Sequence, residues 1–157
     1  MRNRYVIKAV LVFAFIITGA GALHAQLEAQ IKKTISDKQY IFTAQTYSSS
    51  SVVLQTLVVD YELRVMGDSV KGNLPYFGRS YTAQIAQTDG GIKFTSTKYE
   101  YLAQEKKQGR WEITITPKDD RSVQKMFLTV YPDATASLIV QSPGRETMSF
   151  KGYLSGK

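Results

Sequence analysis

The chain contains no cysteine, and its single histidine, His24, lies near the N-terminus. If the N-terminal segment is removed on export, as its pattern indicates below, the mature protein has neither a thiol nor an imidazole. These absences exclude disulfides, Cys/His zinc sites and nucleophile systems that depend on cysteine or histidine. No GxSxG motif or calcium-loop pattern is present either. The sequence therefore predicts a protein that is not an enzyme and that holds no cofactor and no metal.

Positive charge is in moderate excess. The sequence has 20 basic and 13 acidic residues, a net charge of +7, which falls to +4 without residues 1–25. Adjacent basic residues occur only at Lys32-Lys33 and Lys106-Lys107. Nucleic-acid binding needs a basic stripe or patch, so no nucleic-acid partner is expected. The surplus charge favours at most a weak contact with an anionic envelope surface or a polysaccharide.

The first 25 residues have the three-part order of a secretory signal peptide. Residues 1–8 are basic, residues 9–17 are continuously apolar, and residues 18–25 are small. Cleavage is predicted after Ala25, with Ala22 as the alternative. The apolar run is shorter than the roughly 20 residues of a bilayer span, and no cysteine is available for lipid attachment. We expect an exported protein, periplasmic or secreted, that is soluble, not lipid-anchored and without a membrane span in the mature chain.

Residues 26–157 are expected to form a single β domain. Leu27, Ile31 and Ile35 recur at helical spacing, which predicts a short amphipathic helix over residues 26–37. From residue 39 to residue 157 the period changes to two, which is typical of strands. The clearest alternation has an inward set (Val59, Tyr61, Leu63 and Val65). A hairpin is predicted at residues 106–109, followed by a strand with Trp111, Ile113 and Ile115 inward.

Turn signals divide this region into about eight to ten sequential strands. So long a meander has exposed edges unless it curls, and closure removes them. The predicted fold is therefore all-β, an antiparallel meander forming a lipocalin-like barrel or half-barrel, with the N-terminal helix over one opening. A two-sheet sandwich is the alternative.

The densest cluster of aromatic residues lies in residues 74–81, LPYFGRSY. Planar rings and a guanidinium can hold a flat or anionic ligand by stacking and bidentate hydrogen bonds, so the candidate ligand-binding residues here are Tyr76, Phe77, Arg79 and Tyr81. The simpler interpretation is a packing corner in which Arg79 pairs with a nearby carboxylate. Tyr99 and Tyr101 are further candidates, either lining a barrel cavity or lying at its rim.

Several motifs together resemble one family. They are LPYFGRSY, GGIKF at residues 90–94, Trp111-Glu112-Ile113, Pro117-Lys118-Asp119 and SFKGY at residues 149–153. The chain resembles the exported family known as domain of unknown function 4251, found mainly in Bacteroidetes. The resemblance implies a Gram-negative envelope or secreted location and supplies no catalytic residues. Many members carry lipoprotein-type signals, and this chain differs in lacking the cysteine.

The predicted function is that of an exported, non-enzymatic small β-barrel that holds an apolar or amphipathic small ligand inside. The loop from Tyr76 to Tyr81 and the other tyrosines would lie near its opening. A barrel of about eight strands either encloses one small ligand or is filled by its own side chains. The alternative is an envelope structural or protein-interaction module, with an envelope protein as its partner.

Overall fold

The fold is a nearly closed, barrel-shaped antiparallel sheet with one short helix. The computed structural model describes residues 25–81 and 91–156, and the predicted signal peptide, apart from Ala25, lies outside them. Residues 25–36 form the helix, α1. The strands are β1 (Gln39–Ser48), β2 (Gln55–Met66), β3 (Val70–Leu74), β4 (Ile92–Ser96), β5 (Tyr99–Glu105), β6 (Trp111–Pro117), β7 (Lys125–Val130), β8 (Thr135–Gln141) and β9 (Met148–Gly156). A 3-10 turn at Lys107–Gly109 joins β5 to β6.

The strands lie in the order β4-β3-β2-β1-β9-β8-β7-β6-β5. The first and last strands therefore pair with each other, from Tyr40 opposite Gly156 to Ser48 opposite Ser149. All the pairings between these strands are antiparallel. The predicted all-β meander is confirmed as one curled sheet, and the two-sheet sandwich is not formed.

The two ends of the sheet, β4 and β5, are consecutive in the chain and separated by Thr97 and Lys98. The strands β4 and β5 are the first and ninth in this antiparallel order, so they run in the same direction, and β5 continues the course of β4. The carboxylate of Asp119 holds the bend between them, accepting hydrogen bonds from Ser96 Oγ at 2.5 Å and from the amides of Thr97 at 2.9 Å and Lys98 at 3.1 Å. One bent strand thus pairs with β3 in its first half and with β6 in its second, which brings the barrel close to closure.

Apolar side chains fill the interior of the barrel: every strand except β5 contributes buried ones, and β5 contributes the half-buried Tyr99, Tyr101 and Ala103. The inward alternation predicted for Trp111, Ile113 and Ile115 is confirmed. The largest fully buried side chains of the strands are Tyr40, Phe42, Leu63, Leu74, Ile113, Ile115, Met126, Leu128, Leu138, Met148 and Phe150. Such a core leaves the inside of the barrel occupied by the protein itself.

The helix α1 covers one end of the barrel, as the amphipathic pattern predicted. Ile31 and Ile35 are buried in the common core, and Leu27 packs against it. Tyr101 donates its hydroxyl to the carbonyl oxygen of Ile35 at 3.2 Å. A helix of about twelve residues is marginal alone, so these contacts stabilise it. Among the described residues, no helix has the length and apolar character that crossing a membrane would require.

The start of β2 differs from the sequence prediction. Val59 was expected to point inward with Leu63 and Val65, but it is 60% exposed. The reason is a change of register: Ala44 lies opposite Tyr61, whereas Thr46 lies opposite Thr56, so β1 has one residue where β2 has four. The four residues 57–60 of β2, which face a single residue of β1, bulge out of the barrel wall. The inward alternation of β2 therefore begins only after residue 60.

The segment after β3 also differs in part. The alternation of Tyr81, Ala83 and Ile85 with polar residues predicts a strand, but Tyr81 lies in a loop and is exposed. Its amide donates to the carbonyl oxygen of Gly144 at 2.8 Å. The remaining residues of that predicted strand, Ala83 and Ile85, lie outside the described residues.

Candidate functional site

The aromatic loop at residues 75–81 lies at the end of the barrel away from α1. It packs against two other segments there, the serine run at residues 48–51 and the turn at residues 142–147. Phe77 stacks on Tyr47 at the end of β1, with ring centroids 4.4 Å apart and an angle of 27° between the rings. Pro75 is buried, and Tyr76 packs against the core. Part of the loop is thus the packing corner that the sequence analysis favoured.

Glu146 joins the three segments. Its side chain is buried, and its carboxylate accepts hydrogen bonds from the hydroxyl of Ser50, from the amide and hydroxyl of Ser51 at 2.7 and 2.5 Å, and from the amide of Arg79 at 2.9 Å. Its own amide donates to the hydroxyl of Tyr76 at 2.8 Å and to the carbonyl of Arg79 at 2.9 Å. Glu146 is therefore the hub that fixes the serine run and the aromatic loop in one arrangement.

These hydrogen bonds determine the ionisation of Glu146. The hydroxyls of Ser50 and Ser51, followed by the amide of Arg79, hold the pKa of the Glu146 carboxyl well below its usual range. A general acid or base works best with a pKa near the operating pH. A carboxylate that stays ionised at neutral pH, with its acceptor positions occupied, is suited to support the loops and unsuited to transfer protons.

Arg145 extends this cluster to the rim. Its guanidinium lies over the ring of Tyr76, 4.9 Å from the centroid, and its Nη1 donates to the carbonyl of Gly91 at 3.3 Å. Its backbone forms an isolated β-bridge with Ser80. The bridge and the bond between Tyr81 and Gly144 fix the backbone of the aromatic loop at the point where the ring of Tyr81 enters solvent.

An open cleft of about 510 Å³ lies beside this cluster. Its lining combines one exposed ring, Tyr81, with Arg145 and Glu146, the aliphatic side chain of Ile139, and the hydroxyl residues Ser48, Ser49, Ser50, Thr147 and Ser149. Clefts that take small molecules span roughly 300–1,000 Å³. The volume of this cleft lies within that range, and its lining combines an aromatic surface with hydroxyl groups.

Tyr99 and Tyr101 lie at the other end of the barrel, beneath α1. The hydroxyl of Tyr40 donates to that of Tyr101 at 3.2 Å, and Tyr99 donates to the carbonyl of Gly67. The ammonium of Lys38 lies 5.0 Å from the Tyr101 ring and 6.0 Å from the Tyr99 ring. Burial raises the pKa of Tyr101 to about 12. Tyr101 thus holds the helix against the sheet through its bond to Ile35, and Tyr99 bonds the turn after β2.

The structure thus brings together four of the six candidate ligand-binding residues, Tyr76, Phe77, Arg79 and Tyr81, and separates them from Tyr99 and Tyr101 by the length of β1. The predicted carboxylate beside Arg79 is Glu146, but it accepts from the backbone amide of Arg79. Sequence reasoning missed Glu146, Arg145 and the serine run. The run of four serines could have indicated this cluster, because four neighbouring hydroxyl donors favour an acceptor close by.

The acidic residues offer no other obvious chemistry. Glu100 and Glu112 lie on the paired strands β5 and β6. Glu100 pairs with Lys118 at 3.0 Å, and Glu112 pairs with Arg110 at 3.0 Å, all with exposed side chains. Within residues 25–81 and 91–156, no three acidic or histidine side chains are grouped as a metal ion would require.

Comparison with known proteins is consistent with this description. A crystal structure of a DUF4251 family protein from Bacteroides eggerthii DSM 20697 is similar to this chain, with a TM-score of 0.65 and 14% sequence identity. The match covers 86% of this chain and 91% of that protein. At this identity the likeness shows the fold alone. No protein of curated function matches the chain significantly. The family model for DUF4251, a domain of unknown function, matches residues 22–154, so the chain belongs to the DUF4251 family.

Proposed function

We propose that this protein is an exported, non-enzymatic binding protein that holds a small amphipathic ligand in the surface cleft beside Tyr81. The order of residues 1–25 supports export to the periplasm or the medium, and the absence of cysteine supports a protein without a lipid anchor. The observation that carries the proposal is the combination of an exposed aromatic ring and hydroxyl side chains in one cleft of suitable size.

The outer surface is a better place for the ligand than the interior. A ligand inside the barrel would need a cavity among the inward side chains of residues such as Leu63, Phe94, Trp111 and Phe150. All four are buried within one continuous apolar core. Interiors of this kind are packed as densely as organic crystals. We therefore place the ligand in the cleft at the end of the barrel and not in the interior.

The chemistry of the cleft favours a carbohydrate among amphipathic ligands. A sugar ring has an apolar C–H face and a periphery of hydroxyl groups. The ring of Tyr81, 69% exposed, offers a flat apolar surface for that face. Hydroxyls of Ser48, Ser149 and Thr147 can both donate and accept hydrogen bonds, as sugar hydroxyls require. This choice also agrees with a polysaccharide of the envelope as the partner.

The support beneath the cleft favours binding without large rearrangement. Glu146 fixes the serine run and the aromatic loop from below, and Arg145 packs on Tyr76 behind the cleft. Groups held in place before the ligand arrives lose little conformational freedom on binding, which increases affinity. The cleft would thus bind a sugar ring through groups that are already oriented.

Native mass spectrometry of the protein purified from its own exported pool is the first test. A small adduct that is lost on denaturation would identify the ligand class directly. A sugar adduct supports the proposal. A fatty acid or other purely apolar adduct contradicts it, because the cleft lacks an enclosed apolar cavity.

Calorimetric titration with neutral oligosaccharides then locates the site. We expect Tyr81→Ala to weaken binding by about two- to tenfold, because one stacking contact is worth about 0.5–1.5 kcal/mol. Tyr153→Ala is the matched control, since Tyr153 is also an exposed tyrosine but lies on the outer face of β9. Equal loss in both variants, or no loss in Tyr81→Ala, would show that the cleft is not the site.

A further inference from the structure

A second depression lies on the outer face of the sheet, next to the cleft beside Tyr81. This Tyr131 hollow has a volume of about 480 Å³. Its lining includes an exposed tyrosine, an exposed leucine, three hydroxyl residues and a lysine, namely Tyr131, Leu54, Thr46, Thr135, Ser137 and Lys151. The hollow thus repeats the combination of an exposed aromatic ring with hydroxyl groups that is found in the cleft.

Strand pairing makes the cleft and the hollow neighbours. One row of residues that lie opposite one another across β8, β9 and β1 lines the cleft: Ile139, Ser149 and Ser48. The next row with the same orientation lines the hollow: Ser137, Lys151 and Thr46. Residues two positions apart in a strand point to the same face and lie roughly 6.6 Å from each other. The two depressions therefore adjoin along three strands, and a ligand with the shape of a short chain can lie across both.

The hollow carries positive charge. Among the described residues, Lys151 is the only charged side chain that lines it, and no carboxylate forms an ion pair with this lysine. Asp133, in the turn before β8, accepts hydrogen bonds from the amide and the hydroxyl of Thr135 at 3.0 and 2.7 Å. The cleft, in contrast, is lined by one positive and one negative side chain, Arg145 and Glu146. An anionic group of the ligand is therefore best placed in the hollow, beside the Lys151 ammonium.

We infer that the ligand is an acidic oligosaccharide of at least two sugar units, which lies across both depressions and places a carboxylate on Lys151. The inference rests on the proposed function, because it starts from a sugar ring stacked on Tyr81. A second sugar ring stacks on Tyr131. The serine and threonine hydroxyls of the two rows donate to and accept from the sugar hydroxyls between them.

Thr46 offers an independent observation in favour of a ligand in the hollow. Its hydroxyl oxygen is buried and has no hydrogen-bond partner within the described part of the chain. Buried polar groups are seldom left unpaired. Thr46 lies opposite Lys151 and lines the hollow, so after a change of rotamer a sugar oxygen bound there supplies the missing partner.

Calorimetric titration with acidic oligosaccharides tests the charge. The probes are tetramers of galacturonate, glucuronate and mannuronate, each compared with its own methyl ester, which keeps the sugar and removes the charge. We expect at least one acid to bind about two- to fivefold more tightly than its ester, the range of an exposed ion pair, and this preference should decrease with added salt. Lys151→Gln should remove the preference. The matched control is Lys71→Gln, which changes another exposed lysine, on the outer face of β3.

Tyr131→Ala tests the second sugar position. We expect it to weaken binding of the preferred tetramer about two- to tenfold, because one stacking surface is lost. Tyr153→Ala is the matched control, since Tyr153 is an equally exposed tyrosine that lines neither depression. Circular dichroism verifies that the variants retain the fold.

The outcomes separate this inference from the proposed function. Equal affinity for acid and ester in all three pairs, a preference that survives Lys151→Gln, or a tetramer affinity that Tyr131→Ala does not change would each overturn the inference. If neutral oligosaccharides still bind in a manner that depends on Tyr81, the proposed function stands without it. If no oligosaccharide, acidic or neutral, depends on Tyr81 for binding, the proposed function fails and the inference fails with it.

Discussion

Gly152 lies where the first and last strands of the barrel meet, and its replacement by alanine is expected to loosen that junction. Gly152 is opposite Ala44 on β1 and opposite Ala136 on β8. A Cβ at this position would lie 1.8 Å from the carbonyl oxygen of Thr43 and 3.0 Å from the Cα of Ala44. Both obstacles are backbone atoms, so no change of side-chain rotamer can relieve the clash.

The size of the effect follows from the distance that the strands must move. A carbon atom approaches a carbonyl oxygen to about 3.3 Å, so β1 and β9 must separate locally by about 1.5 Å. Hydrogen bonds that are normally about 2.9 Å long would become too long to count as bonds. Losing two or three of them at about 1 kcal/mol each lowers the free energy of unfolding by about 2–3 kcal/mol. In a domain of this size, that corresponds to a decrease in Tm of about 10 °C.

Urea unfolding and a thermal melt, both followed by the fluorescence of Trp111, measure this change. Gly67→Ala is the matched control, because Gly67 has no atom within 4 Å of its would-be Cβ and only its φ of +66° opposes the substitution. That strain costs about 1 kcal/mol. If Gly152→Ala is no less stable than Gly67→Ala, the reasoning from the closing pair of strands is wrong.

Three further predictions concern the core and the hydrogen-bond networks of the Glu146 and Asp119 carboxylates. Trp111→Ala should lower the free energy of unfolding by about 3–5 kcal/mol, since the indole is buried; an unchanged Tm would contradict its place in the core. Hydrogen bonds from Ser50, Ser51 and Arg79 lower the pKa of Glu146 in the folded protein, so its contribution to stability is present above its ordinary value of 4.5 and is lost as the pH falls below that value. Glu146→Gln should therefore be less stable at pH 7 and lose less stability between pH 5 and pH 2 in urea titrations; parallel curves for the variant and the wild type would refute this. Asp119→Asn should increase tryptic cleavage after Lys98, because the bend loses its acceptor, whereas Asp120→Asn, whose carboxylate bonds Ser122, should not.

The sequence predicted those parts of the fold that depend on local alternation. Trp111, Ile113 and Ile115 point inward because each strand of a barrel has one face toward the core, and that requirement is visible in the pattern itself. The same holds for Ile31 and Ile35 on α1. Chain length and the number of strands then favoured closure, because a long meander must cover its edges.

The parts that could not be predicted depend on which residues meet across the barrel. Val59 keeps the alternation of its neighbours but leaves the wall because β2 is longer than β1 between two paired positions. Glu146 bonds Ser51, 95 residues away in the sequence. Tyr101 and Tyr76 were grouped by residue type, but strand register places them at opposite ends. Contacts of this kind depend on how distant segments pack together, so local sequence patterns do not predict them.

The pairing of β1 with β9 also has a consequence for the order in which the molecule can form. The hydrogen bond between Ser155 and Ile41 spans 114 residues of sequence, so the barrel wall closes through one of its least local contacts. Contacts of this kind form slowly, because the entropy of a long loop must be lost before the contact stabilises the chain. Until the last strand arrives, β1 and β8 both present unpaired edges to their surroundings. Docking of β9 covers both of these edges, so a polypeptide that stays unfolded until β9 is available reaches this shape with less risk of aggregation.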